Sequence, residues 1–550
     1  MATLTAVPAP DTRTAARPPL LVFAEKHADL LFLFALTAVA AVPRLWALGE
    51  IPQGIHGDEA QVGMDAWRVL KDGWIGVYTL AALGQPAGHA YYAAPFIEIL
   101  GSSPFSVRLP FALAGIAAVP LAYTLFRLQA DRTVAVIAAL LLALSLWHIH
   151  FSRTAHWPIT YPTVELAVLV FWTLAIQRGG LHWFALAGAT LGLGLYTYNI
   201  YPVFVVAFTV WVVLYTLQNK RGAAFKPWTA NVALAAAIAF LYGIPLFVYI
   251  LSPSNEYFDH YNLYYETYSV LQTPAYVDGS FTDRVAIIYD QVKIWIGAYA
   301  WEGVPDLIDA SSPDRRPMLD ILTVGLFVAG VGYAAYNWRK TPHLLALTLL
   351  AIMPLTSVLQ TNATYRGVLG LAPFVAFFAA LPLAWVWQKA TAQARDLYRG
   401  AGYALVIVAI TVIGYTNVHA YFGPWKDSLL FPWVYTEEIS EASEYLNTLD
   451  GEPYVYFYSS RWRFDYETRQ YLAPGFEGED RSQRFGRRQD DVIDRSRDSV
   501  FILLNPYLDR LEGIKRLYPG GAEHVGRDGE DVLFIAYHVP ADPAFSTSAR

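Results

Sequence analysis

The feature that most limits how this chain can fold is a succession of apolar stretches, each about as long as the 20 residues a membrane-spanning helix needs. They lie near residues 29–49, 105–126, 133–151, 159–177, 182–199, 202–218, 231–251, 318–337, 343–359, 367–388 and 401–419. Composition agrees. Hydrophobic residues make up 55% and charged residues 15%, with a mean hydropathy of +0.32, whereas a soluble domain carries about a quarter charged residues. A water-soluble globule, a disordered chain and a fibre are excluded. The expected fold is an α-helical polytopic membrane protein with about 11 spans.

Lys and Arg in the short connections set the expected orientation. With the N-terminus cytoplasmic, the inner segments carry 14 of them, among them Arg13, Arg17, Lys26, Arg127, Arg132, Arg178, Lys220, Arg339 and Lys389. The short outer connections carry only Arg153 and Arg366. Ala38-Val39-Ala40 has the form of a signal-peptidase site, but the apolar run continues past it and the preceding charges are mixed, which favours an uncleaved first span. Residues 1–28 read as a disordered cytoplasmic tail, 29–419 as the transmembrane domain with outer loops at 50–104 and 252–317, and 420–550 as a soluble domain outside. Half the acidic side chains, 23 of 46, fall in 424–550. Strand patterns at 453–458, 499–504 and 532–538, with helical patterns at 435–449 and 506–517, suggest a small α/β sandwich there.

The absence of cysteine removes disulfides, Cys-ligated zinc, iron–sulfur clusters and thiol nucleophiles. A net charge of −7 and the lack of a basic stripe argue against a nucleic-acid partner.

Two constellations could carry chemistry. The first outer loop opens His56-Gly57-Asp58-Glu59-Ala60, and paired acids just beyond a span are costly unless they face water, a cation or a substrate. Their mutual repulsion should raise one pKa toward that of a general base, while the other binds a metal or orients a partner. The bland reading is that both cap a helix starting near Ala60. The second constellation is His148-Ile149-His150-Phe151-Ser152-Arg153-Thr154-Ala155-His156-Trp157. Two residues apart, His148 and His150 face opposite ways on a helix. His150, Arg153 and Trp157 share a face if the helix continues, and a cation there suits a phosphate; the bland alternative is an interfacial Arg with aromatic anchors, common at span ends. Arg366 is the matching residue at the tenth span. Tyr196 and Tyr198, in an outer turn, could stack on a sugar, although an interfacial aromatic belt explains them as well. Asn362-Ala363-Thr364 matches a glycosylation sequon that chance accounts for.

These residues in this order resemble the GT-C superfamily of integral-membrane glycosyltransferases, and more narrowly the bacterial proteins related to protein mannosyltransferases and aminoarabinose transferases. The resemblance rests on Gly57-Asp58-Glu59-Ala60, Ser106-Val107-Arg108-Leu109-Pro110, His150-Phe151-Ser152-Arg153, Leu195-Tyr196-Thr197-Tyr198 and Tyr365-Arg366. It covers roughly residues 30–390. Many relatives have an arginine near the position of Tyr201, and this chain departs from them there. The resemblance implies a bacterial plasma-membrane enzyme that moves a sugar from a polyprenyl-phosphate donor to a lipid, glycan or protein acceptor on the extracytoplasmic face, with inversion. It implies Asp58 as base, with Glu59 assisting. Arg153, Arg366 and His150 would bind the donor phosphate, and His56, Tyr196 and Tyr198 the acceptor or sugar. A divalent metal, Mg or Mn, on Asp58 and Glu59 is compatible with it. The alternative class is a transporter or flippase, which would place ionisable residues near mid-membrane. Here the spans are nearly free of acids except Glu165, and the notable charges sit at the outer rim.

Overall fold

The computed structural model describes residues 27–80, 84–303, 317–361, 364–426, 434–482 and 492–542. The expected cytoplasmic tail up to Lys26 and the first two sequon residues lie outside them. Helices dominate because a backbone crossing lipid must satisfy its own hydrogen bonds. In chain order they are α1 (Ala28–Leu45), α2 (Gly57–Asp72), α3 (Gly88–Leu100), α4 (Pro104–Gln129), α5 (Arg132–Ala143), α6 (Leu146–Arg153), α7 (Thr160–Arg178), α8 (Leu181–Leu193), α9 (Tyr201–Asn219) and α10 (Phe225–Ile250). Then follow α11 (Tyr257–Tyr268), α12 (Pro274–Val277), α13 (Phe281–Ala300), α14 (Ile321–Tyr336), α15 (Thr341–Ile352), α16 (Leu355–Val358), α17 (Ala372–Thr391) and α18 (Asp396–Ala420).

Among the described residues eight helices are long and apolar enough to cross a membrane. The pair α5–α6, bent by 53°, adds a ninth when counted as one broken span. The remaining two expected spans are shorter apolar helices, Leu181–Tyr196 and Ile321–Tyr336. The α5–α6 break falls at Leu144-Ser145, where the Ser145 hydroxyl accepts from the His148 amide and starts a new helix. The spans pack α8 on α10, α14 on α17, α17 on α5, and α4 on both α5 and α7. On α8, Gly188 and Gly192 sit against the Ala235 and Ala239 carbonyls of α10 with no room for a Cβ. Such small-residue contacts let helices approach closely without a hydrophobic driving force between them.

The C-terminal region has helices α19 (Glu437–Leu446), α20 (Glu467–Leu472) and α21 (Leu511–Leu517) beside a five-stranded sheet. Between α2 and α3, β1 (Tyr78–Thr79) and β2 (Gln85–Pro86) form a minimal hairpin. The large sheet comprises β3 (Tyr454–Tyr458), β4 (Gly478–Asp480), β5 (Ser499–Leu504), β6 (Ala522–Asp528) and β7 (Asp531–Val539), in the order β4-β3-β5-β7-β6. β3 runs parallel to β4 and β5, and β7 antiparallel to β5 and β6. The central strands β3 and β5 are almost wholly buried. The sequence reading missed both edge strands, because Gly478-Glu479-Asp480 and the mostly exposed Ala522–Asp528 lack an apolar alternation.

This region is fastened to the start of α2. Thr436 and Thr468 both donate to the Ile55 carbonyl, at 2.8 and 2.9 Å, and the Ile55 amide donates to Ser440 at 3.1 Å. Gly54, at φ +74°, lies against the Tyr435 carbonyl, where no other residue would fit. The sheet region therefore positions the loop that carries Asp58.

Candidate functional site

The chain from the end of α1 to the start of α2 is irregular, so its carbonyls need partners. Two fully buried arginines supply them. Arg153, the last residue of α6, donates to Pro43, Ala47 and Ile51 at 2.8–3.1 Å, and its guanidinium lies over Tyr421 and Phe422. Arg108 in α4 donates to Leu48, Pro52 and Gly54. It also forms a bidentate pair with Glu59, with Nε–Oε1 2.9 Å and Nη2–Oε2 3.1 Å. Arg44 provides a third fixed point, donating to the Ala40 and Ala143 carbonyls and to His148 Nδ1.

Several expectations change in consequence. Glu59 is fully buried, and besides Arg108 its oxygens accept the Ala155 amide at 2.7 Å and the His56 amide at 3.0 Å. Four hydrogen bonds fill the acceptor sites of a carboxylate, so Glu59 has nothing left for a cation or a proton in transit. It closes a capping box with His56 at the start of α2 and locks that helix to α4. Arg153 spends its fork on backbone carbonyls and so is not placed to receive a phosphate. His150 is 1% exposed and packed against Phe151 and Tyr421, which also removes it from the phosphate site. The helix stops at Arg153, since Thr154 is extended. Trp157 therefore leaves the shared face and stacks on His89, 5.0 Å away. Tyr196 donates its hydroxyl to Tyr242, and Tyr198 is buried against Tyr161. Both are packing groups rather than platforms for a sugar.

What does converge is Asp58, His56, His156 and Arg366. Asp58 is the second residue of α2, with 27% of its side chain exposed. Its Oδ2 lies 3.7 Å from His56 Nδ1 and 3.7 Å from His156 Nε2. Burial would raise the Asp58 pKa, but His156, His56 and Arg366 together hold it well below the usual carboxylate range. Burial also favours the neutral Glu59, and Arg108 more than reverses this. The expected rise of one acid's pKa is thus not found: both carboxyls are held down and stay ionised. The His56 pKa is also lowered, but for the opposite reason: burial disfavours its cation, with Asp58 opposing.

His156 and Arg108 are the functional residues that the sequence reading left without a role. His156 Nε2 is buried and has no hydrogen-bond partner among the described residues. An orphaned imidazole nitrogen facing a carboxylate is a ligand set in waiting, and one ligand atom each from His56, Asp58 and His156 falls within a 4.8 Å group. Among the described residues the group that could hold an ion is Asp58, His156 and His56, rather than the expected pair Asp58–Glu59. Two imidazoles and one carboxylate suit a transition ion better than Mg, which prefers oxygen. His56 Nδ1 already accepts the Asp58 amide at 3.0 Å, so ligation through that nitrogen would cost the helix its cap.

The arginines now separate. Arg366 is half-buried and biases both Asp58 and His56, whereas Arg153 shapes the loop beneath them. Arg366→Ala is expected to lower kcat/KM of the folded protein by roughly 10²-fold, the worth of a charge-assisted phosphate contact. Arg153→Ala is expected to lose about 2–4 kcal/mol of stability as three buried carbonyls lose their donor. Kinetics and thermal melts of both purified variants check the split, and equal losses of rate at equal stability would contradict it.

Comparison with known proteins agrees with this architecture. Residues 84–244 match the family model described as dolichyl-phosphate-mannose-protein mannosyltransferase. The matched segment begins beyond Asp58, so it says nothing of that residue. No curated protein matches the chain in sequence. Among solved structures, the chain is similar to ArnT from Cupriavidus metallidurans in the apo state. The TM-score is 0.52 at 13% identity, over 94% of this chain and 98% of that one. The same protein bound to undecaprenyl phosphate gives 0.53 at 14% identity, over 92% and 97%. The archaeal oligosaccharyltransferase AglB from Archaeoglobus fulgidus, in complex with an inhibitory peptide and a dolichol-phosphate, gives 0.51 at 13% identity, over 94% and 74%. At these identities the shared property is the fold alone: the mostly helical, multi-pass architecture described above.

Proposed function

We propose that this protein is a glycosyltransferase that moves a sugar from a polyprenyl-phosphate donor to an acceptor hydroxyl at the Asp58 site. The observation that carries the reading is one partly exposed carboxylate, Asp58, 3.7 Å from the imidazoles of both His56 and His156, with the charge of Arg366 acting on it as well. Transfer needs a proton acceptor on one side of the sugar and positive charge where the leaving phosphate gathers charge. The fold shared with ArnT and AglB, whose solved forms hold undecaprenyl phosphate and dolichol-phosphate, supports the lipid-linked donor. An apolar groove beside the end of α1, lined by Val42, Trp46, Val418 and Phe422, suits a polyprenyl chain.

In this reading the acceptor oxygen attacks the anomeric carbon as its proton passes to Asp58. The bond from that carbon to the phosphate oxygen breaks, polyprenyl phosphate leaves, and the anomeric configuration inverts. Arg366 receives the phosphate. Once paired with it, Arg366 no longer holds Asp58 down, so donor binding itself raises the basicity of Asp58. Glu59 and Arg108 are positioning residues that fix the turn of α2 carrying Asp58. A transition ion on Asp58, His156 and His56 is the second reading, favoured by the orphaned His156 nitrogen; when bound, it would neutralise the donor phosphate. The transporter alternative finds less support among the described residues, because Glu165, the acid deep within a span, is fully buried.

The Lys/Arg asymmetry supports a cytoplasmic N-terminus and an extracytoplasmic C-terminal region. Reporter fusions at residues 225 and 393 are expected to read cytoplasm, and fusions at 275 and 480 outside; a cytoplasmic signal at 480 would contradict the orientation. Lipid analysis of a strain lacking the protein tests the function itself. It is expected to show an accumulated polyprenyl-phosphate sugar and an under-glycosylated envelope component, and unchanged pools of both would count against the reading.

A further inference from the structure

We infer that Tyr466 and Glu467, carried by the C-terminal sheet region, form the acceptor wall of the Asp58 site, and that the acceptor they fit is a sugar ring with two neighbouring hydroxyls. This rests on the transferase reading above and deepens it.

The geometry starts at Gly57, the first residue of α2 and the one before Asp58. A Cβ there would meet the Tyr466 hydroxyl at 2.6 Å and a Glu467 carboxylate oxygen at 3.6 Å. Gly57 is thus required by the close approach of Tyr466 to the first turn. Ionisation of Tyr466 is disfavoured by burial, by Glu467 and by Asp58, which places its hydroxyl in the field of both carboxylates. The Glu467 carboxylate is half-exposed and makes no hydrogen bond or ion pair among the described residues.

Tyr466 is held rigidly. Its ring packs on Trp462 at a centroid distance of 4.4 Å, and the Arg461 guanidinium lies over Trp462 at 4.3 Å. The Trp462 indole and Arg461 both donate to Glu438, at 2.7 and 3.1 Å. The Thr468 hydroxyl, donating to Ile55, ties the same segment to the loop before Asp58. Such tiers fix a side chain to the tolerance that a reacting group demands.

A hydroxyl and an open carboxylate beside the base recognise a second hydroxyl near the attacking one. The carboxylate accepts it, the tyrosine donates to its oxygen, and the ring presents an apolar edge to a sugar C–H face. An isolated serine or threonine hydroxyl offers nothing to this pair, so the chemistry favours a carbohydrate acceptor over a peptide. It also means that the C-terminal region completes the site.

The test is acceptor kinetics with the full-length protein, a synthetic polyprenyl-phosphate mannose as donor, and two acceptor panels: methyl glycosides with vicinal hydroxyls, and Ser/Thr peptides. Tyr466→Phe keeps the stack on Trp462, and Glu467→Gln keeps size and fold. In each variant the glycoside KM is expected to rise roughly tenfold, as for loss of one hydrogen bond to a charged or buried partner, with kcat within about twofold. Deoxy-glycosides lacking the second hydroxyl should show this high KM with the unmodified protein and no further rise in the variants. Unchanged glycoside KM values in both variants would overturn the acceptor wall. Transfer to peptides and not to glycosides would overturn the sugar assignment. If the unmodified protein neither transfers nor hydrolyses the donor, nor any other polyprenyl-phosphate sugar, the transferase reading fails and this inference with it.

Discussion

Asp58→Asn is expected to lower sugar transfer by about 10²–10⁴-fold, the usual effect of losing a general base, while leaving polyprenyl-phosphate binding intact. The amide keeps the shape of the carboxylate and its place on α2. It cannot take a proton as the acceptor oxygen attacks, and it leaves His156 and Arg366 facing a neutral group. The fold should survive, because no buried cation depends on Asp58 alone: Arg108 is neutralised by Glu59. Transfer rates and donor binding measured on one preparation separate chemistry from assembly. Full activity in Asp58→Asn would leave Asp58 as a first-turn acid serving only the dipole of α2.

Glu59→Gln has the second large effect, and it is of a different kind. Both side chains of the Glu59–Arg108 pair are 0% exposed, and removing one member of a buried pair strands the other charge at a cost of about 3–5 kcal/mol. Glu59 also holds the Ala155 and His56 amides, so the start of α2 and the approach to His156 loosen together. The expected result is a large fall in thermal stability and a loss of activity that follows it. Binding of a divalent ion, measured calorimetrically on folded protein, should not depend on Glu59 directly. Normal stability with selective loss of metal binding would instead make Glu59 a ligand.

The contrast between these neighbours shows how far the chain could be read without coordinates. Span positions were legible because apolar length is a local property. Residues 105–126 and 202–218 correspond to helices Pro104–Gln129 and Tyr201–Asn219. The break at Leu144-Ser145 was not legible, since a recapping serine inside an apolar run looks like any small residue. Asp58 stands out as one of two adjacent acids after a span, and Arg153 and Arg366 as outer charges against the Lys/Arg bias; of the two arginines, it is Arg366 whose charge acts on Asp58. The roles of Glu59 and Arg153 depend on partners far along the chain: Glu59 meets Arg108 across 49 positions, and Arg153 meets Pro43 across 110. Spacing along a helix carries no trace of such pairs. One signal was present nonetheless. Arg44 and Arg108 stand inside apolar runs, where a charge must have a dedicated partner, and both turn out to clamp backbone or carboxylate. Tyr466 gave no signal at all, because only the fold of the C-terminal region lays it over Gly57.

The account is tested most directly by incubating the purified full-length protein in detergent with synthetic polyprenyl-phosphate sugars and a hydroxyl acceptor, with and without a chelator. It predicts that one donor is consumed, that free polyprenyl phosphate appears in step with an inverted glycoside, and that Asp58→Asn stops both. The chelator arm shows whether an ion on His156 takes part. If no donor is consumed, while the reconstituted protein moves a lipid-linked or polar solute across liposomes, the site is a transport site and the central claim is wrong.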